Sequence, residues 1–404
     1  MNTNLRNFLK PLGLAILIII TVNHSALADG GWVKTPTPEY KSSDGKFTFK
    51  LRGRVYWDQS WATDENRTMD NSDNEFRAAR LGFEGKVNKI ISYKAEALLK
   101  GSEVDFTDLY LSYKGPAEFR FGSFKIATSL EESTSSRHIT FMERGAFTDA
   151  FGFSRGLGVS FLKGGADWTI HAGAQKGNIN EKESRPEGTL TIAGRATKSF
   201  VKEGPKIHLG VSIRYRKQDD VQSDLLYRQR PFAHLTDRFL NTGRIADQDF
   251  TYGLEAAFLS GSFAIQTEVS RLTAKLSNAI FDQENPNFKG GYIDFSWFIT
   301  GEQRSYNPKK GSFGGIKPLK PTSSGGAGAV QLAVRFDGVD LSDQGIMGGS
   351  QTSVIGGINW YPNRWMRFMV NYSTTTINDG FLVAANMSGQ NSVKTFGTRL
   401  QINW

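Results

Sequence analysis

The sequence predicts an all-β fold, a 16-stranded antiparallel transmembrane β-barrel, on three observations. Segments of about ten residues alternate apolar and polar side chains, about sixteen of them succeed one another, and the connections between them are by turns short and long. Successive strand side chains point to opposite faces, so each segment is a ribbon with one apolar and one polar face. Closing such ribbons on themselves pairs every backbone N–H and C=O, which lets strands cross a bilayer. No segment after the N-terminus offers the roughly 18 apolar residues in a row that a membrane helix needs.

The chain has 404 residues, 49 Lys and Arg against 40 Asp and Glu, and no cysteine, which excludes disulfide and thiolate–metal chemistry. Residues 1–28 read as an export signal. Arg6 and Lys10 precede the apolar run Leu12 to Val22, and Ala26-Leu27-Ala28 supplies the small residues before a cleavage site. Removing those 28 residues leaves 376, and removing their two cations takes the net charge from +9 to +7. Residues 29–45 are then expected as an N-terminal periplasmic segment and 46–404 as the barrel.

From Phe47 to Trp57, Phe47, Phe49, Leu51, Val55 and Trp57 share one face with Gly53, against Thr48, Lys50, Arg52, Arg54 and Tyr56. Ile207, Leu209, Val211, Ile213 and Tyr215 stand against His208, Ser212, Arg214 and Arg216; Val330, Leu332, Val334 and Phe336 against Gln331 and Arg335; and Phe396, Leu400, Ile402 and Trp404 against Thr395, Arg399, Gln401 and Asn403. Segments of this kind begin near 47, 76, 91, 104, 118, 156, 166, 189, 207, 250, 262, 291, 329, 352, 366 and 393. Val87 to Ile90, Lys114 to Pro116 and Tyr361 to Trp365 are short connections, whereas Ala62 to Asn74, Phe124 to Arg155 and Lys217 to Asp249 are long and expected on one side of the membrane. Ser323 to Gly328 reads as a flexible loop tip. Half-buried strands of a soluble sandwich or propeller alternate too. Aromatics near strand ends (Trp57, Tyr113, Trp168, Tyr215, Trp297, Tyr372, Trp404) favour the membrane barrel.

Sixteen strands enclose a water-filled lumen, where inward guanidinium groups remain solvated. Parity places Arg52, Arg54, Arg120, Arg214, Arg216, Arg335, Arg367 and Arg399 inside, together with the acids Glu84, Glu96, Asp108 and Glu255. A surplus of one sign between low-dielectric walls concentrates the opposite ion, so small anions are the expected solutes. The five histidines (24, 138, 171, 208 and 234) form no HExxH pair or metal-ligand spacing, and parity turns His171 and His208 inward; neither catalysis nor a cofactor is expected. Basic residues spread over many strands make no nucleic-acid patch.

Several stretches carry a resemblance: Ser129-Leu130-Glu131-Glu132-Ser133-Thr134-Ser135-Ser136-Arg137 running into Phe141-Met142-Glu143-Arg144; Arg228-Gln229-Arg230-Pro231 with His234 and Thr242-Gly243; Trp297 to Glu302 with Arg304 and Tyr306; and the shorter Lys50 to Arg54, Phe76-Arg77 and Gly357 to Tyr361. In these the chain resembles the phosphate-selective porin O and P family, from about residue 46 to the last. The resemblance implies a homotrimeric outer-membrane porin in contact with lipid, with a third loop folded inward to narrow the pore. It implies an anion-binding constriction of Arg54 and Arg77 on the strands, Ser133, Ser135, Ser136 and Arg137 on the loop with Lys125 at its start, and Arg228 and Arg230 from the fifth loop. Two positions depart from the pattern. Ala78 follows Arg77 where a second arginine is expected, so Arg80 could substitute if a bulge turned it inward. Glu132 stands where a lysine is expected and repels a dianion. The sequence therefore reads as an outer-membrane porin for passive diffusion of small anions, phosphate or pyrophosphate leading and chloride included. A general porin of slight anion preference and a non-conducting scaffold or adhesin are the alternatives.

Overall fold

The computed structural model describes residues 31–33, 37–65, 70–100, 103–180, 188–201, 204–219, 224–277, 284–379 and 390–404. The export signal read at 1–28 lies outside them.

Among the described residues the barrel strands are β1 (Phe47–Asp64), β2 (Asp70–Val87), β3 (Ile91–Lys100), β4 (Glu103–Lys114), β5 (Glu118–Lys125), β6 (Arg155–Gly164), β7 (Trp168–Lys176), β8 (Leu190–Val201), β9 (Lys206–Lys217), β10 (Leu240–Ser260), β11 (Phe263–Leu276), β12 (Asn287–Phe298), β13 (Ala329–Asp343), β14 (Ile346–Tyr361), β15 (Met366–Asn378) and β16 (Gln390–Asn403). Each pairs antiparallel with its neighbours in the chain. The last returns to the first, with Val393 opposite Asp64 and Asn403 opposite Arg54, and the cylinder is closed. Gly31–Val33 pairs with Glu39–Lys41, which pairs in turn with Thr48 to Lys50 of β1, so the segment ahead of the barrel adds a short ribbon beside it.

Period-two alternation sets which face is wet. On β9, Ile207, Leu209, Val211 and Ile213 are 40–55% exposed on the outside, while His208, Arg214 and Arg216 are 2% exposed or less. On β1, Arg52 and Arg54 are buried inside the cylinder and Trp57 is exposed outside. An outward apolar band with polar side chains within is the arrangement a bilayer demands of a barrel.

Strand starts at the rim that holds the N-terminus of β1 agree with the alternation to within two residues. At the other rim the strands begin earlier than the pattern indicated: β2 at Asp70, β10 at Leu240, β14 at Ile346 and β12 at Asn287. Much of Ala62 to Asn74 is accordingly strand, Thr63 pairing with Asp70, and Lys217 to Asp249 contains the strand Leu225–Gln229 as well as the start of β10. These ends project past the apolar band, where nothing forces one face to be greasy, so alternation fades while pairing continues. A second difference lies at the opposite rim. Residues 299–328 connect β12 to β13 on the side of the short turns, against the expectation that long connections share one side. Within it, Thr322–Ser324 forms one 3₁₀ turn closed by Gly325 at φ 77°, where a loop tip was expected.

Counting connections at the rim where β1 ends, the third, residues 126–154, carries two short helices, α1 (Leu130–Ser133) and α2 (Ala146–Ala150), and lies inside the cylinder. Phe147 and Phe151 pack with Tyr227, Phe239, Phe288 and Tyr292 in a buried apolar cluster. The lumen on that side is filled in this way. Chiefly along β1 to β6 a cavity is left open.

Candidate functional site

The loop is fixed to the far wall by hydrogen bonds to buried carboxyl and guanidinium groups. Glu268 on β11 accepts from the N–H groups of Leu130 and Glu131 at 2.7 and 2.8 Å, and Asp337 on β13 accepts from Ala146 at 3.1 Å. Glu131 accepts from Gly145 N–H at 2.7 Å and from Arg335 at 2.7 Å, and Arg335 is also bound to Asp294. Arg367 donates to the carbonyls of Ile139 and Thr140, both at 2.7 Å, and Arg399 to that of Met142 at 2.8 Å. The bonds donated by the arginines have an ionised partner and are about twice as strong as neutral ones. The loop is therefore held as part of the wall.

Between it and β1–β6 lies a cavity of about 820 Å³ whose lining carries sixteen Lys and Arg side chains against six Asp and Glu. Sharing of partners produces this surplus. Glu96 on β3 serves three guanidinium groups: Arg54 at 2.9 Å, Arg80 at 3.2 Å and Arg52 at 3.6 Å. Asp108 on β4 serves Lys94 and, at 2.8 Å, Arg155. Arg120 stacks on the Tyr110 ring at 4.3 Å and bonds Glu118 at 2.7 Å.

The opposing face of the cavity is the loop. Arg54 donates to Ser136 Oγ at 2.9 Å. Arg137 lies over the same patch and makes a long contact to Ser135 Oγ at 3.4 Å; among the described residues no carboxylate pairs with it. Burial, then Arg54 and Arg52, lower its guanidinium to about 10. Ser133 Oγ is turned away, donating to the Thr128 carbonyl at 3.0 Å. Glu132 is bound by Lys125 at 2.9 Å and Arg144 at 3.1 Å. Burial would raise that carboxyl, and the two cations hold it below its ordinary range.

A β-bulge decides β2. Tyr56 faces Ala78 but Asp58 faces Glu75, so Phe76 and Arg77 together oppose Trp57. Phe76 stays outside, 67% exposed. Arg77 turns inward to Glu143 at 3.3 Å, and Arg80 falls opposite Arg54 on the inner face.

Of the residues singled out from the sequence, Arg52, Arg54, Arg77, Arg80, Arg120, Lys125, Ser133, Ser135, Ser136, Arg137 and Arg399 line this cavity. Four do not. Arg335 is fully buried between Asp294 and Glu131. Arg214 is covered by the end of the loop, within 3.4 Å of the Gly152 carbonyl and 4.7 Å of the Phe153 ring. Arg228 and Arg230 lie in the fifth connection, which doubles back on β10; Arg228 pairs there with Asn241, and Arg230 donates to the His234 carbonyl. Parity tells inside from outside and says nothing about which inner residues a loop will cover. Lys94 and Arg155 belong to the site and were not singled out, although Lys94 alternates with Tyr93 and Ala95. Lys310 and Ser312 enter from residues 299–328, where no periodic signal exists.

A family model for phosphate-selective porin O and P matches residues 49–404. The chain belongs to that family. It is a porin of the bacterial outer membrane. Porin O of Pseudomonas aeruginosa is 25% identical over 408 residues, covering 90% of each chain. An uncharacterized protein of Caulobacter vibrioides is 32% identical over 383 residues, covering 91% of this chain and 76% of that one. Among solved structures, an anion-selective porin from Comamonas acidovorans matches the fold with a TM-score of 0.55 at 11% identity, covering 89% of this porin and all of the other.

Proposed function

We propose that this porin is a passive channel for small anions, inorganic phosphate and pyrophosphate among them, with the constriction between Arg52, Arg54, Arg80 and Lys125 on the wall and Ser135, Ser136 and Arg137 on the loop. The observation that carries this reading is the excess of cations over carboxylates around one cavity. An oxyanion entering it trades water for N–H and O–H donors that are individually weak, since most guanidinium groups already share a carboxylate, and so it can leave again. Guanidinium forks match phosphate oxygens and keep their charge at any physiological pH. The family supports the phosphate class and a homotrimer. The same surplus favours chloride over potassium in a simple salt.

In a planar bilayer under a potassium chloride gradient, the reversal potential is expected on the anion side. Arg54→Ala combined with Arg137→Ala should lower the anion-to-cation permeability ratio several-fold, because it removes two of the charges focused on one patch. A cation-selective wild-type channel would end this reading, and a silent bilayer would leave the scaffold reading instead. Cross-linking in outer-membrane vesicles tests the trimer, with a monomer ladder only as the contrary outcome.

A further inference from the structure

Two carboxylates of the loop line the cavity: Glu143, which pairs with Arg77 and Arg399 on the strands, and Glu132, which reaches Lys125 at the end of β5 and Arg144 of the loop itself. Its backbone is held from behind: Glu132 N–H donates to Ser129 Oγ at 3.2 Å, and the two preceding N–H groups are bound by Glu268. Its side chain spans to the cations with one oxygen on each, Oε1 at 2.9 Å from the Lys125 ammonium and Oε2 at 3.1 Å from the Arg144 guanidinium. Both cations are otherwise bound to loop carbonyls, Lys125 to that of Glu132 and Arg144 to those of Glu131 and Thr134. Without the carboxylate, the Lys125 and Arg144 side chains would stand side by side at the cavity wall with neutral partners. A carboxylate held by two oxygens on two cations has the contact pattern of an oxyanion bound in a seat.

We propose that Glu132 is a tethered occupant of an oxyanion seat formed by Lys125 and Arg144, and that by filling it the residue sets how weakly the channel holds phosphate. This rests on the anion-channel reading above and adds an open station at Arg54 and Arg137 and, at Lys125 and Arg144, a station closed by the pore's own side chain. A free phosphate must displace the carboxylate or lie beside it against like-charge repulsion. Release is thereby fast, at the expense of affinity.

The test is block of chloride current by inorganic phosphate in planar bilayers, for the wild-type porin and Glu132→Gln, which keeps the side chain's shape and removes its charge. The half-blocking phosphate concentration should fall about tenfold or more in E132Q, as expected when one repelling charge leaves a partly desolvated site. Adding Lys125→Met to E132Q should abolish the gain. An E132Q channel that stays anion-selective with the wild-type half-block overturns the proposal. Cation selectivity in both channels overturns it through the reading beneath it, and the reversal potential separates the two failures. Glu132→Ser removes the same charge and serves if E132Q does not assemble.

Discussion

At Gly53 a Cβ would stand 2.1 Å from the Trp404 ring, and the backbones of the two residues exchange hydrogen bonds at 3.1 Å where the cylinder closes. The Trp404 indole thus packs against β1 at Gly53, and only a hydrogen can face it. Gly53→Val should displace the indole and cost about 1–3 kcal/mol, the range for overpacking, read as a lower urea midpoint for the folded barrel. On the loop, burial would raise the Glu143 carboxyl, but Arg77 and Arg399 hold it at about 2. Burial, helped by Arg137, pushes His138 down to about 3. Each group binds fewer protons folded than unfolded, so each contributes stability that is whole above its unfolded value and lost as pH falls toward its folded one. The windows run from 6.5 to about 3 for His138 and from 4.5 to about 2 for Glu143. Open-channel noise from a loosened loop should therefore grow below about pH 6 and stay flat between about pH 7 and 9. These residues were visible in the sequence as letters. Their shifts were not, since they depend on which strand lies behind the loop.

The third loop is an element whose position is decided by the wall. Arg335 lies between Asp294 and Glu131, and Arg335→Met would leave two carboxylates facing one another across a dry contact. Breaking a buried pair on one side costs about 3–5 kcal/mol. The expected result is a detached loop, seen as larger and more variable single-channel conductance with the barrel still folded. Strands were legible because lipid imposes a period of two on them, and legibility stopped where lipid stops, at Asn71 or Asn241. The loop's helices could not be read at all, because α1 and α2 are four and five residues long and have no amphipathic turn to betray them. Residues 299–328 follow the same logic. Arg304 bonds Thr140 and lies 3.9 Å from the Phe313 ring, while Phe313 N–H donates to Thr134 Oγ1 at 3.2 Å, so this connection is ordered by contacts to another loop. No local pattern encodes such contacts.

At the scale of the whole molecule, the barrel was legible as a count of strands and the pore as a surplus of charge, while the division of the interior into a filled side and an open side was not. That division follows from which side the loop leans toward, and it has a practical corollary. Most of the charged side chains lining the cavity, from Arg52 through Arg155, are written in one unbroken quarter of the polypeptide. The remaining strands chiefly supply the anchors that hold the loop in place. Selectivity should accordingly be transplantable: a chimera carrying residues 47–164 on the last ten strands of a related barrel that keeps the anchors Glu268, Arg335, Asp337, Arg367 and Arg399 would inherit this protein's ion preference, and the reciprocal chimera would lose it.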